Sequence, residues 1–262
     1  MTTFSDYKTL LVEQASGVTT VTLNRPELAN AMNLQMVKEL SQVMSSIEHH
    51  PTRVLVIRGA DGNFCAGGDI REMQSIANDK IELANFNRSF GLMIEQADQL
   101  PCVVITLLQG AVLGGGFGLA CISDVAIADH SARFAMPETS LGIIPAQIAP
   151  FVVQRIGLTS ARRLALLGVR IQSEEALRLG IIHQIADDQE ALEQQLRSAV
   201  NLALSCAPIA TVTTKKLLHQ MSINNDLPSI LDQAAVDFAN SIQGEGREGA
   251  MAFAQKRKPN WQ

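Results

Sequence analysis

Apolar positions early in the chain fall into two short β-prone runs, 8–14 and 18–24, split by the turn-forming triplet Ala15-Ser16-Gly17. Leu34, Val37, Leu40, Met44 and Ile47 then recur every three to four residues, the spacing of an amphipathic helix closed by His49-His50. Residues 53–59 (RVLVIRG) are a continuous apolar strand, followed by a glycine-rich loop over 60–69 and a helical stretch from about Ile70 to Gln99. Pro101 opens a second buried strand over 102–108, and the grammar repeats: a loop over 109–115, a short helix from Gly116, and a strand over 125–128. Apolar strands separated by loops and helices predict parallel strands joined by crossover helices. After Pro145 the pattern is almost wholly helical, with Ser173 and Glu174-Glu175 as a helix start and Gly180 as a stop. Pro208, Gly244 and Gly246 punctuate the helical tail. The chain therefore reads as an α/β core over 1–200 and a helical region over 201–262.

Composition narrows the class. At 262 residues the chain fits one core, and its 47% apolar content is that of an ordinary globular protein. No apolar run reaches the length of a membrane span, and Met1 to Leu10 has neither the basic nor the apolar segment of a secretory signal. Cys65, Cys102, Cys121 and Cys206 form no C-x-x-C pair, which argues against a zinc site or a disulfide scaffold and fits a reducing cytoplasm. A net charge of −5 disfavours nucleic acid as a partner.

Several chemistries are unsupported. The histidines at 49, 50, 130, 183 and 219 show no metal-ligand spacing. There is no G-x-S-x-G elbow and no G-x-x-x-x-G-K-[ST] phosphate loop. What remains is a pair of glycine-rich loops, Phe64-Cys65-Ala66-Gly67-Gly68-Asp69-Ile70 and Leu113-Gly114-Gly115-Gly116-Phe117-Gly118-Leu119, each placed after a buried strand. They are either tight strand-to-helix turns or a device that aims one backbone N–H from each loop into a shared cleft. A helix starting near Gly116 would add its positive end. Such a pair of donors is an oxyanion hole, where one lost donor typically costs about 3 kcal/mol of transition-state stabilisation. Glu138 follows Pro137 and precedes an apolar stretch. It is either a turn carboxylate or a partly buried general acid/base with a raised pKa.

Together these motifs resemble the crotonase superfamily of enoyl-CoA hydratases and isomerases. Asn24-Arg25-Pro26, both glycine loops, Asp124, Pro137-Glu138 and the tail Gln255-Lys256-Arg257-Lys258-Pro259-Asn260-Trp261 carry the resemblance from end to end. It implies a ClpP/crotonase-like spiral of ββα repeats with a helical C-terminal trimerisation region, assembled as a homotrimer or a dimer of trimers. It implies an acyl-CoA thioester as substrate, with no cofactor beyond the coenzyme A that the substrate carries, no membrane partner, and a cytoplasmic location. Carried over by position, Gly68 and Gly115 supply the oxyanion-hole N–H groups and Glu138 the acid/base. Ala66, Asp69 and Ile70 line the coenzyme A side, with Arg25, Leu28 and, from a neighbouring subunit, Lys256 near its body or phosphates; Lys256 is alternatively a solvated tail residue.

One departure stands out. Hydratases of this superfamily typically carry two catalytic glutamates, and Gly118 occupies the position of the first. Gly118 together with 144–153 (IPAQIAPFVV) resembles the branch acting on glutaconyl-type thioesters: the isohexenylglutaconyl-CoA hydratases and the 3-methylglutaconyl-CoA hydratases. A substrate that brings its own carboxylate disfavours a second glutamate in a low-dielectric pocket, and Gly118 would also leave room for a branched C3 substituent. The expected reaction is hydration of a branched 2-enoyl-CoA. A double-bond isomerase, which needs one glutamate, and a non-catalytic acyl-CoA-binding protein are the rivals. Arg88 and Arg133 are the candidate partners of a substrate carboxylate, with surface roles as their alternative.

Overall fold

A computed structural model describes residues 7–47, 52–223 and 226–261. Residues 1–6, and the His49-His50 pair expected to close a helix, lie outside the described residues. The chain opens with strands β1 (Leu10–Ala15) and β2 (Val18–Leu23), paired antiparallel through a Ser16-Gly17 turn. Helix α1 (Leu34–Ile47) buries Val37, Leu40, Met44 and Ile47, the periodic face expected of it. Its Glu39 is also buried. Burial alone would raise that carboxyl, but hydrogen bonds from Thr9, Gln35 and the Lys8 and Thr9 N–H groups hold it below its usual range and tie α1 to the start of β1.

Strand β3 (Val54–Gly59) pairs parallel to β2. The stretch expected as one helix over 70–99 is two, α2 (Ile70–Ser75) and α3 (Lys80–Asp98). The break has a local cause: the Asp79 carboxylate accepts from the N–H groups of Ile81 and Glu82 and so starts a new helix. Next come β4 (Val103–Leu108), β5 (Ala111–Leu113), α4 (Gly115–Ile122), β6 (Val125–Asp129) and β7 (Arg133–Ala135). Helix α5 (Ala149–Leu167) is broken at Gly157, and β8 (Arg170–Gln172), α6 (Ser173–Arg178), β9 (Gln184–Ala186) and α7 (Gln189–Ser205) follow. The chain ends in α8 (Pro208–Ile223), α9 (Leu227–Gln243) and α10 (Glu245–Ala254).

The main sheet has the order β1-β2-β3-β4-β6-β9, parallel from β2 onward, as the buried apolar strands predicted. A second sheet, β5-β7-β8, stands beside it, and an isolated bridge between Cys65 and Val112 extends it toward the first glycine loop. Each turn of chain therefore places one strand in the large sheet and one short strand or bridge in the small one, then enters a helix. This is the expected spiral of ββα units.

Two expectations are corrected. The region after Pro145 contains β8 and β9, too short to leave a period in the sequence. Helix α6 does begin at Ser173, whose hydroxyl donates to the Asp129 carbonyl at 2.6 Å and ties α6 to β6. The proposed division at residue 200 falls inside α7, which packs on β3, β4 and β6 through Leu192, Leu196 and Val200. Among the described residues, no helix is long and apolar enough to cross a membrane.

Candidate active site

Helices α2 and α4 both leave their strands through glycine, and the two loops meet. Gly67 (φ +100°) and Gly114 (φ +50°) each occupy a backbone region that side-chain-bearing residues rarely adopt. A Cβ on Gly67 would sit 3.3 Å from the Leu113 carbonyl oxygen and one on Gly114 3.1 Å from Glu138 Oε1 and 3.5 Å from the Cα of Gly67, so neither position has much space to spare. Each of these glycines is anchored. The Gly67 carbonyl accepts from Met32 N–H at 2.8 Å, and Gly114 N–H donates to the Ala135 carbonyl at 3.1 Å. The residue after each is different. Among the described residues, neither Gly68 N–H nor Gly115 N–H has an acceptor. Gly115 is the first residue of α4, one earlier than expected, so its N–H precedes the helix ladder, whose first bond runs from Gly118 N–H to Gly114 O. In each loop a tethered left-handed glycine turns the next peptide so that its N–H faces a common space.

That space is a cavity of about 120 Å³. Gly68 and Gly115 line one part of it, and Phe86, Phe90 and Ile94 on α3 line another. Glu138, at the start of a 3-10 turn over Glu138–Leu141, also lines it. Its Oε2 is buried with no hydrogen-bond partner, and burial pushes its carboxyl above the usual carboxylate range. The other carboxylate oxygen lies close to the second glycine loop: a Cβ on Gly114 would come within 3.1 Å of Glu138 Oε1. The turn is held by Thr139 Oγ1, which donates to the Ala165 carbonyl of α5 at 2.7 Å. A partly desolvated carboxylate with one unpartnered oxygen, on the same cavity as two free N–H donors, can move a proton at a carbon next to a polarised carbonyl. Cys65, behind the loops, is not a competing nucleophile, because burial pushes its thiol up to about 11.

Of the remaining candidates, Ala66 and Ile70 line the cavity. Arg25 and Asp69 do not; they face each other in an ion pair of 2.9 Å. Asp69 also caps α2 by accepting from Arg71 and Glu72 N–H groups. Burial works to raise its pKa, and the Arg25 hydrogen bond and helix N–H groups lower it overall. This pair braces the first loop. Leu28 sits in a 3-10 turn beside the same loop, where the Ala29 carbonyl accepts Ala66 N–H, and is not part of the cavity wall. Lys256 has left-handed geometry at the end of α10 and, among the described residues, makes no contact with the site. The tail around it is held by Arg257, paired to Glu248, and by Trp261, whose indole N–H donates to the Ser205 carbonyl. Asp124 is structural as well, taking Val104 N–H and Lys215 Nζ at 2.7 Å each. Arg133 donates to the His130 and Ala132 carbonyls, away from the cavity.

Gly118 requires a correction. It does not form part of the cavity wall and leaves no room beside a substrate. A Cβ there would meet Ile148 Cγ2 at 2.6 Å and Ile94 Cδ1 at 3.1 Å. Ile148 and Ile94 themselves line the cavity, so the space that a glutamate would need is filled with hydrocarbon. The sequence reading missed Asn87 and Gln147, two further polar side chains on the wall, from α3 and the segment entering α5. Their positions carry no motif; the glycine at 91 in mid-helix was the one available hint.

Known proteins show the same arrangement of chain. The family described as enoyl-CoA hydratase/isomerase matches residues 13–262. A solved structure of Pseudomonas aeruginosa AtuE is 52% identical, covers 96% of this chain and 98% of its own, and superposes with a TM-score of 0.94. Among curated relatives, the short-chain-enoyl-CoA hydratase of Clostridium acetobutylicum is 31% identical over 253 residues, 95% of each chain. The 1,2-epoxyphenylacetyl-CoA isomerase of Escherichia coli is also 31% identical, over 264 residues, 96% of this chain and 97% of its own. A match of this extent, on a fold and a paired-loop site of this kind, shows that the chain belongs to the enoyl-CoA hydratase/isomerase family.

Proposed function

We propose that this protein is a hydro-lyase that adds water to a branched 2-enoyl-CoA, with isohexenylglutaconyl-CoA as substrate and 3-hydroxy-3-isohexenylglutaryl-CoA as product, in the breakdown of acyclic terpenes. The observation that carries the reading is the single carboxylate. Glu138 Oε2 is unpartnered in the cavity that the two free N–H donors also line, and the place of a second glutamate is filled by Ile148. In this mechanism Gly68 and Gly115 N–H groups bind the thioester oxygen as negative charge develops on it. Glu138 takes a proton from water as the water attacks C3, and then returns that proton to C2 of the enolate, which restores the carboxylate. No second carboxylate opposes an acyl group that carries its own. The exposed Leu141, Ile143 and Ile144 beside the cavity offer apolar surface for an alkenyl tail.

The test is turnover of crotonyl-CoA, 3-methylglutaconyl-CoA and isohexenylglutaconyl-CoA in isotopically labelled water. Label in a tertiary alcohol, with the long branched substrate preferred, is the expected result. Preference for the methyl compound would move the protein to leucine catabolism. The lone Glu138 equally fits a proton shuttle between C2 and C4, and an unlabelled product with a shifted double bond would establish that isomerase reading instead.

The same reading extends to assembly. Phe238 is 69% and Phe253 87% exposed in the single chain, with Leu231, Val236 and Ile242 also uncovered on α9. Apolar surface of this extent on helices belongs in an interface. A homotrimer or dimer of trimers is expected by sedimentation, and a monomer at micromolar concentration would contradict it.

A further inference from the structure

Besides Glu138, the cavity wall carries two polar side chains, and a third residue outside the wall sets their orientation. Arg88 Nη1 lies 3.4 Å from Gln147 Oε1, and Gln147 Nε2 donates to Asn87 Oδ1 at 2.9 Å. A guanidinium can only donate, so the Gln147 oxygen must face it and the Gln147 NH2 must face away. That NH2 in turn requires the Asn87 oxygen. The remaining group is the Asn87 NH2, which has no acceptor among the described residues. The chain of bonds therefore runs one way, from a cation to a free donor at the cavity wall. Glu95 pairs with the other Arg88 nitrogen at 3.1 Å.

The backbone is adapted to this arrangement. Gly91 lies on α3 one turn beyond Asn87, and a Cβ there would stand 1.9 Å from Gln147 Oε1 and 2.8 Å from Arg88 Nη1. Glycine is unfavourable inside a helix, yet here it provides the seat on which Gln147 crosses α3.

We propose that Asn87, oriented by Gln147 and Arg88 as positioning residues, is a specificity-determining residue that binds an oxygen acceptor on the acyl group of the substrate, a carboxylate in the first instance. The proposal rests on the enoyl-CoA reading of the cavity and deepens it by naming the group that recognises the acyl moiety. A donor suits a substrate carboxylate oxygen better than it suits a neutral water, since a hydrogen bond to an ionised acceptor is the stronger of the two.

The test compares two thioesters that differ in the carboxylate, 3-methylglutaconyl-CoA and 3-methylcrotonyl-CoA, in wild type and in Asn87→Asp. That substitution keeps the shape of the side chain and replaces the donors with an anion. The ratio of kcat/KM values, carboxylated over uncharged, is expected to fall by about 10- to 100-fold, chiefly through KM. Gln147→Met, which cuts the relay and leaves Asn87 in place, is expected to move the ratio in the same direction by a smaller factor. Competition by the unreactive 3-methylglutaryl-CoA and isovaleryl-CoA gives the same comparison without turnover, so a variant with little activity still reports. Equal losses on both thioesters, or a loss in kcat alone on both, would overturn the proposal and assign Asn87 to the water. A wild type that prefers the carboxylated thioester with a ratio unmoved in Asn87→Asp would sink the relay and leave the proposed function standing. A wild type that accepts only the uncharged thioester would end both.

Discussion

The cavity has two walls built on different principles. One is backbone: Gly68 and Gly115 present N–H groups whose direction is set by anchored glycines and by the strands behind them. The other is side chain: Ile94, Asn87, Gln147 and Ile148 reach in from α3 and from the segment entering α5. A backbone donor cannot be exchanged by substitution and hardly varies with its neighbours, so that wall suits a task common to every thioester, the activation of its carbonyl. A side-chain wall can be rebuilt residue by residue, so it suits discrimination among acyl groups. Glu138 is the point where the two meet, close to Gly114 and open to the cavity.

The comparison can be broken most severely at that point. Glu138→Gln is expected to lower kcat by about a thousandfold with thioester binding nearly unchanged, as suits loss of an acid/base group. Near-normal turnover in a stopped assay would remove Glu138 from the mechanism. On the backbone wall, Gly115→Ala pushes a methyl to within 2.6 Å of the buried Met32 Cε and displaces the donor. A fall in kcat of about a hundredfold on every thioester tested is expected. A loss that depends on the acyl group would show that the two walls are not separate in function.

On the other side, Gly118→Glu does not restore a second acid/base. It collides with Ile148 and buries an unpaired carboxylate. A loss of about 3 kcal/mol in denaturant unfolding is expected, without gain on crotonyl-CoA. A stable variant with improved crotonyl-CoA turnover would mean that Ile148 moves aside readily.

The smallest effect is in pH dependence. The Glu138 carboxyl is raised by burial, so kcat/KM should fall on the acid side at a pH above the ordinary carboxylate range. The sign for stability follows. A raised folded-state pKa favours the native state below the unfolded value, and that benefit is lost as pH rises through the folded value. Glu138→Gln should therefore be relatively more stable than wild type at neutral pH than in acid, and thermal melts at the two pH values report the difference.

Much of the catalytic wall was legible because it rests on residue types with few other uses. Consecutive glycines after an apolar strand, and a glutamate hemmed in by Pro137 and hydrocarbon, point to backbone chemistry and a desolvated carboxylate before any coordinates exist. The roles of Arg25 and Asp69 were not legible, since an arginine and an aspartate 44 positions apart give no sign that they bind each other. Gly118 was misread for a related reason. Its lack of a side chain is visible in the sequence, but what fills the space, Ile148 from 30 residues downstream, is not.

Local rules acting over a few residues were enough for the sequence to determine the parallel core, the amphipathic face of α1, the paired glycine loops and a partly buried glutamate after Pro137. Tertiary structure alone decided that Gly67 meets Gly114, that Asp69 pairs with Arg25 and caps α2, and that Arg88, Gln147 and Asn87 align along α3. Those facts depend on contacts between segments far apart in the chain, whose side chains acquire direction and burial only when the spiral has closed.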